Sequence, residues 1–139
     1  MSMLESSNEV NDNWFKDGFK TWKNPIPVPY EIMAEPGEVQ TLEGPIKYES
    51  GDYMMTGPNG EKYPITPEKF ASLYDSSSNE QAIPRKIEKI AKMADHNGVL
   101  HIKRGDLHYT AGNDYIVRHG AGDYGAVKKD VFAKTYHLP

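Results

Sequence analysis

The chain is 139 residues long, carries a formal net charge of -4 and contains no cysteine, which excludes a disulfide framework and thiolate metal sites and weighs against a dedicated nucleic-acid binder. No apolar run reaches the roughly 18–20 residues of a membrane span, and the polar opening MSMLESSNEVNDN lacks the basic and then apolar character of a signal peptide. A soluble cytoplasmic protein, forming one domain or two very small ones, is expected.

Residues 1 to about 12 are polar and aperiodic, so a mobile N-terminus is expected. Beyond it the rings of Trp14, Phe15, Phe19 and Trp22 fall at spacings that gather on one helical face, although Gly18 counts against an unbroken helix. Residues 1–23 thus read as a mobile start and an aromatic segment that packs on the body or offers anchors to a partner. Packing is favoured, because an apolar patch of this size is rarely left in water.

In NPIPVPYEIMAE, residues 24–35, Pro25, Pro27 and Pro29 occupy alternate positions, which forbids a helix and favours an edge strand. Short strands at 39–42 and 45–48 flank Glu43-Gly44. Tyr53 to Met55, the turn Gly57-Pro58-Asn59-Gly60 and Lys62 to Ile65 form a β-hairpin, with Gly60 in the left-handed position of a bulge. Thr66 caps a short helix that has Pro67 at its first position and Glu68 near its positive end, and Phe70 and Tyr74 share one face of it. The stretch DSSSNEQ, residues 75–81, reads as a linker.

After the linker, Ile87, Ile90, Ala91 and Ala94 form a helical stripe, but Met93-Ala94-Asp95 matches Met33-Ala34-Glu35 of the first half and favours a strand. Strands at 99–103 and 107–110 correspond to 39–42 and 45–48. The window Asp52 to Tyr74 recurs 62 positions later as Asp114 to Tyr136, with identities at Asp52/Asp114, Tyr53/Tyr115, Gly60/Gly122, Phe70/Phe132, Ala71/Ala133 and Tyr74/Tyr136. Chance would give roughly one or two such matches. Lys128 and Lys129 stand in place of Thr66 and Pro67, so the second helix lacks a good cap. The expected architecture is α+β, mainly β: two tandem antiparallel-sheet repeats, 24–75 and 82–139, each ending in a short helix and related by a pseudo-two-fold axis. A unit of about 55–60 residues is marginal alone, so the copies should share a core.

The stretch ESGDYMMTGPNGEKYPITPEKFASLYD, preceded by a Pro-rich strand and the T-L-E-G turn of Thr41 to Gly44, resembles a module of small phage and prophage proteins. That module has a P-G-D-W/Y strand, a G-x-x-G-E-x-Y-P hairpin and an F-x-x-x-Y helix. The resemblance covers residues 24–75 well and the second half loosely: Ser50 replaces the usual proline, and Gly125-Ala126 replaces the Tyr-Pro pair. It implies a phage-associated accessory protein in the host cell interior, a binder more than an enzyme, and no catalytic residues.

The chemistry the chain offers is mainly cationic. Residues 1–80 carry 6 Lys/Arg against 14 Asp/Glu, and residues 81–139 carry 10 against 6, a split that can steer halves or molecules together. Arg85, Lys86, Lys89 and Lys92, with Lys103-Arg104 and Lys128-Lys129, interleave with Tyr109 and Tyr124 as an anion-binding face. The expected binding set is Lys86, Lys89, Arg104, Tyr109, Tyr124 and Lys128, in a groove between the copies that engages a host protein or a small anionic ligand. His101, His108 and His119 match no metal spacing and read as surface or edge-strand residues, with no cofactor implied. The rival reading is a small hydrolase or nucleotide-processing enzyme using Asp52 and Asp114 as a dyad, against which each Asp fits a turn-capping role. A virion or assembly component, self-associating into a homo-oligomer, is the third reading.

Overall fold

The computed structural model describes residues 10–77 and 80–139; most of the N-terminal stretch expected to be mobile, residues 1–9, lies outside them. The described chain is mainly β, with small antiparallel sheets and few helices. A 3-10 helix, Asp12–Asp17, is capped by Asn11, whose side chain accepts a hydrogen bond from the Trp14 amide at 3.0 Å. It is followed by β1 (Phe19–Thr21), β2 (Val28–Ile32), β3 (Gly37–Thr41), β4 (Gly44–Tyr48), β5 (Tyr53–Thr56), β6 (Lys62–Ile65) and helix α1 (Pro67–Leu73). Next come β7 (Tyr74–Ser77), β8 (Gln81–Pro84), β9 (Lys89–Met93), β10 (Gly98–Ile102), β11 (Gly105–Tyr109), β12 (Asp114–Gly120), β13 (Asp123–Lys128) and helix α2 (Lys129–Thr135).

These strands form three sheets with the orders β1-β9-β12-β13, β10-β11-β4-β3 and β6-β5-β2-β8-β7. The helical stripe over 87–94 loses to a strand, because β9 lies between β1 and β12 and its backbone groups are taken up on both edges. The linker reading of 75–81 is corrected. Asp75 to Ser77 belong to β7, which pairs with β8 in the register Asp75↔Ile83 and extends the third sheet by a strand. The single helix suggested by the four N-terminal rings is likewise broken. Gly18 passes so close to β9 that a Cβ there would lie 2.7 Å from the Ala91 carbonyl oxygen, and beyond it the chain turns extended to pair with β9.

The hairpins follow their turn residues. Gly60 and Gly122 have φ of +81° and +72°, a left-handed conformation open to glycine at little cost. Helix α1 is capped as its residues dictate, with the Thr66 hydroxyl accepting from the Lys69 amide at 3.1 Å and Pro67 at the first position. Helix α2 has Lys128 at its cap position, where no side chain bonds the first turn.

Burial then selects the ring pairs. In the first half Phe70 stacks on Tyr53 at 4.0 Å, and Tyr74 on Phe70 at 5.5 Å. In the second, Phe132 stacks on Tyr115 at 4.2 Å, and Tyr136 on Phe132 at 4.6 Å. Each helix therefore clips its hairpin through one i, i+4 aromatic pair. The first sheet is covered on both faces: Val117 packs with Phe132 and Tyr136, and Ile116 with Trp14, Phe15, Leu100 and Tyr109. Trp14 and Phe15 are thus part of the core and Phe19 packs against it, while half-buried Trp22 stacks on His137 at 4.3 Å. Asp12 anchors that segment by accepting from Arg118 Nε at 3.1 Å and from Tyr124 Oη at 2.5 Å, contacts that hold its carboxyl down at about 2.

Phe132 is fully buried between three rings, so Phe132→Ala should destabilise the protein by about 3–5 kcal/mol, as expected for truncating a core aromatic. Urea denaturation should show a lower midpoint at unchanged slope; a loss under about 1 kcal/mol would contradict the clip.

Candidate functional site

Where the two halves face each other they leave a cleft of about 510 Å³, within the 300–1,000 Å³ range of small-molecule sites. One wall comes from β6 and α1, through Tyr63, Ile65 and Lys69. The other comes from β13 and α2, through Lys128, Val131 and Tyr136. Asn59 at the tip of the first hairpin ties the walls by donating to Asp130 at 2.9 Å and accepting from Lys134 at 2.7 Å. Lys69 and Asp123 form a further bridge at 3.3 Å.

Lys23 lies at the seam. Its Nζ donates to Tyr74 Oη at 2.7 Å and to Tyr63 Oη at 3.4 Å, and lies 5.2–5.8 Å from the ring centres of Tyr63, Tyr74 and Tyr136. Burial works against the ammonium. The phenol groups outweigh it and hold its pKa well above that of an ordinary lysine. The backbone fixes its place, since Asn24 N–H bonds the Thr135 carbonyl, His137 N–H bonds the Trp22 carbonyl, and the Thr21 hydroxyl donates to the His137 carbonyl at 2.6 Å.

Lys89 is the opposite case. It opens β9 opposite Thr21 and on the same strand face as buried Ala91, so its side chain enters the core side of the sheet and lines the cleft at 6% exposure. Among the described residues no hydrogen bond or ion pair meets its amine. Burial, then the Lys23 and Lys69 charges, lower its pKa to about 8, with Asp123 opposing.

Two more titratable groups share the cleft. His119 lies half-buried at the end of β12, beside the irregular step between Arg118 and Gly120, with its Nδ1 buried and unpartnered among the described residues; burial and then the Lys89 charge hold its pKa well below the usual value. Glu43, in the β3–β4 turn, has its carboxyl raised to about 7, first by burial, with Lys128 pulling it down and Asp114 pushing it up. The site therefore combines a fixed cation, an amine with a lowered pKa, a neutral imidazole and a carboxyl with a raised pKa inside mostly apolar walls.

Of the residues expected from sequence, Lys89, Tyr124 and Lys128 line this cleft. Lys86 instead lies over the Trp22 ring at 4.5 Å, Arg104 pairs with Asp52 and Glu49, and the Tyr109 hydroxyl meets His96 at 2.9 Å. Lys128 spans both oxygens of buried Asp114, at 3.1 and 3.2 Å. Asp52 and Asp114 do not share a partner: each accepts from an amide of its own turn, Glu49 or Thr110, at 2.8 Å and from its own cation. His101 and His108 are exposed, whereas His119 is not. Lys23, Glu43 and Lys69 were invisible as site residues, since nothing near them in the chain marks them; only the repeated Tyr74 and Tyr136 hinted at the seam.

A buried amine at about 8 against 10.5 costs about 3 kcal/mol at pH 7. At and below pH 7 both folded and unfolded chains hold the proton, and the folded state bears the whole penalty. Between 8 and 10.5 the unfolded chain binds more protons, so stability rises with pH and the penalty fades. Lys89→Met should therefore raise the melting temperature at pH 7 by roughly 5–10 °C. The gap between variant and parent should narrow as pH rises towards 9.5; an equal gap across that range would contradict the assignment.

Residues 44–137, from β4 to the end of α2 and just beyond, match the family described as PGDYG protein. Comparison with curated proteins and with solved structures gives no match. Read as one-letter code, the family's description occurs without its proline in Gly122-Asp123-Tyr124-Gly125, and without its proline and final glycine in Gly51-Asp52-Tyr53. The first opens β13 on the cleft wall, and the second leads into β5 with Asp52 closing the turn. With well over half of the chain matched, the protein belongs to the PGDYG protein family.

Proposed function

We propose that the chain is two diverged copies of one small unit related by a pseudo-two-fold axis, and that it binds a small anionic ligand in the cleft between them without turning it over. The duplication is supported by equivalent contacts, offset by 61 residues ahead of Asp52 and by 62 from Asp52 onward. β2 pairs with β5 as β9 pairs with β12. Met33 N–H bonds the Asp52 carbonyl as Ala94 N–H bonds the Asp114 carbonyl, both at 2.8 Å. Between the halves, Lys47 N–H bonds the Arg104 carbonyl and His108 N–H bonds the Glu43 carbonyl, an exchange that a two-fold axis generates when each copy offers the same strand.

One observation carries the ligand reading: an unpartnered lysine, almost fully buried, lines a cleft whose walls supply a second, fixed cation. Uncompensated buried charge is costly and is retained where a ligand completes the pairing. The dyad reading has less support, because both aspartates are engaged in their own turns and ion pairs. On the resemblance of residues 24–75 to a phage module, we infer a phage-associated setting, which neighbouring genes for virion or lysis proteins would support and an unrelated gene context would oppose.

Small carboxylates, phosphates and nucleotides should be tested by thermal shift at low salt. At least one should raise the melting temperature, by about 2.7 kcal/mol of stabilisation at a hundred times its dissociation constant. The shift should weaken as ionic strength rises and disappear in Lys89→Met, while Lys86→Ala, outside the cleft, keeps it. No stabilisation by any anion, or an equal one in Lys89→Met, would overturn the proposal.

A further inference from the structure

The surroundings of Lys89 are unusual for an anion receptor. A lysine that serves only as a charge gains from staying protonated, and nearby carboxylates would help it. Here the amine lies among apolar walls with cations as its strongest charged neighbours, Lys23 and then Lys69, while Asp123 is bound to Lys69. Lys23 cannot give up its charge, because Tyr63, Tyr74 and Tyr136 hold it. A desolvated lysine beside a fixed cation is the arrangement that frees an amine lone pair for attack on a carbonyl. His119, half-buried, lines the same cleft with its Nδ1 buried and without a hydrogen-bond partner among the described residues.

We propose that Lys89 captures a small anionic carbonyl compound, an aldehyde or 2-oxo acid, as an imine within the cleft. The inference rests on the ligand reading given above and adds a covalent step to it. The Lys89 nitrogen lone pair forms a bond to the carbonyl carbon, and the C=O π electrons move to oxygen, which takes up the proton that nitrogen gives up. The carbinolamine then loses its hydroxyl together with the second nitrogen proton as one water molecule, leaving C=N. No oxidant or reductant is consumed, and added water reverses the capture. The ligand's carboxylate faces the Lys23 and Lys69 charges, and its short chain lies against Ile65 and Val131.

The experiment uses the full chain at pH 7 with glyoxylate or pyruvate and cyanoborohydride, which reduces an imine to a stable secondary amine, followed by peptide mass spectrometry. At that pH an amine of pKa about 8 has on the order of a hundred times more free base than an ordinary lysine. The adduct should therefore concentrate on Lys89 by at least about tenfold over any other lysine. Lys89→Met should abolish it, while Lys103→Met, at an exposed position, should leave it intact. Lactate, which has the carboxylate but no carbonyl, serves as the non-covalent comparator by thermal shift. Labelling spread over exposed lysines, or none at Lys89, overturns the covalent step; if lactate and pyruvate still stabilise the protein, the anion-binding reading survives it. Absence of both adduct and stabilisation removes the two together.

Discussion

The ammonium of Lys23, held by three phenols that arrive from different parts of the chain, is the interaction on which the rest depends. Tyr63 comes from β6, Tyr74 from the end of α1 and Tyr136 from the end of α2. Each helix carries its tyrosine one turn after the phenylalanine that stacks on its own hairpin, so the two aromatic stacks end at one cation. A buried ammonium without partners would lose its proton; here ring faces and hydroxyl oxygens replace its water. The same arrangement leaves the cleft beside it with a permanent positive charge, which adds to burial in lowering the pKa of Lys89.

That dependence explains the division between partnered and unpartnered charge. Lys92, on the opposite face of β9, lies over the Trp14 ring at 4.3 Å and pairs with Asp17 at 2.9 Å. Arg104 and Lys128 neutralise Asp52 and Asp114, and Arg118 holds Asp12. Against this pattern Lys89 stands out, since the strand period that sends Lys92 to a partner sends Lys89 inward among cations. The exposed apolar side chains Ile26, Leu42 and Ile102 border the same cleft. Stability forgone in one place, with the surrounding charges satisfied, is the pattern expected of a binding site.

Much of the architecture was legible because it rests on short-range rules. The Phe70/Tyr74 and Phe132/Tyr136 spacings, the Thr66-Pro67 cap and the glycines at 60 and 122 are local signals, and they recur. The linker reading missed the strand at Asp75 to Ser77 because small polar residues suit a loop as well as a strand, and only pairing with β8 decides between them. The site was less legible. Lys86 and Lys89 belong to one basic run, and burial alone separates them; the Lys23 partners lie 40 and 51 residues away for Tyr63 and Tyr74, beyond any periodicity. His119 differs from His101 and His108 through an irregular step in β12 that no motif announces.

The central claim is that an unpaired lysine with a lowered pKa lines a cleft beside a caged cation. It is tested most directly by following the side-chain resonances of Lys89 through a pH titration of the folded protein by NMR. A midpoint near 8 is what the account predicts. A midpoint at the ordinary lysine value, near 10.5, would show a solvated or paired ammonium and would contradict it.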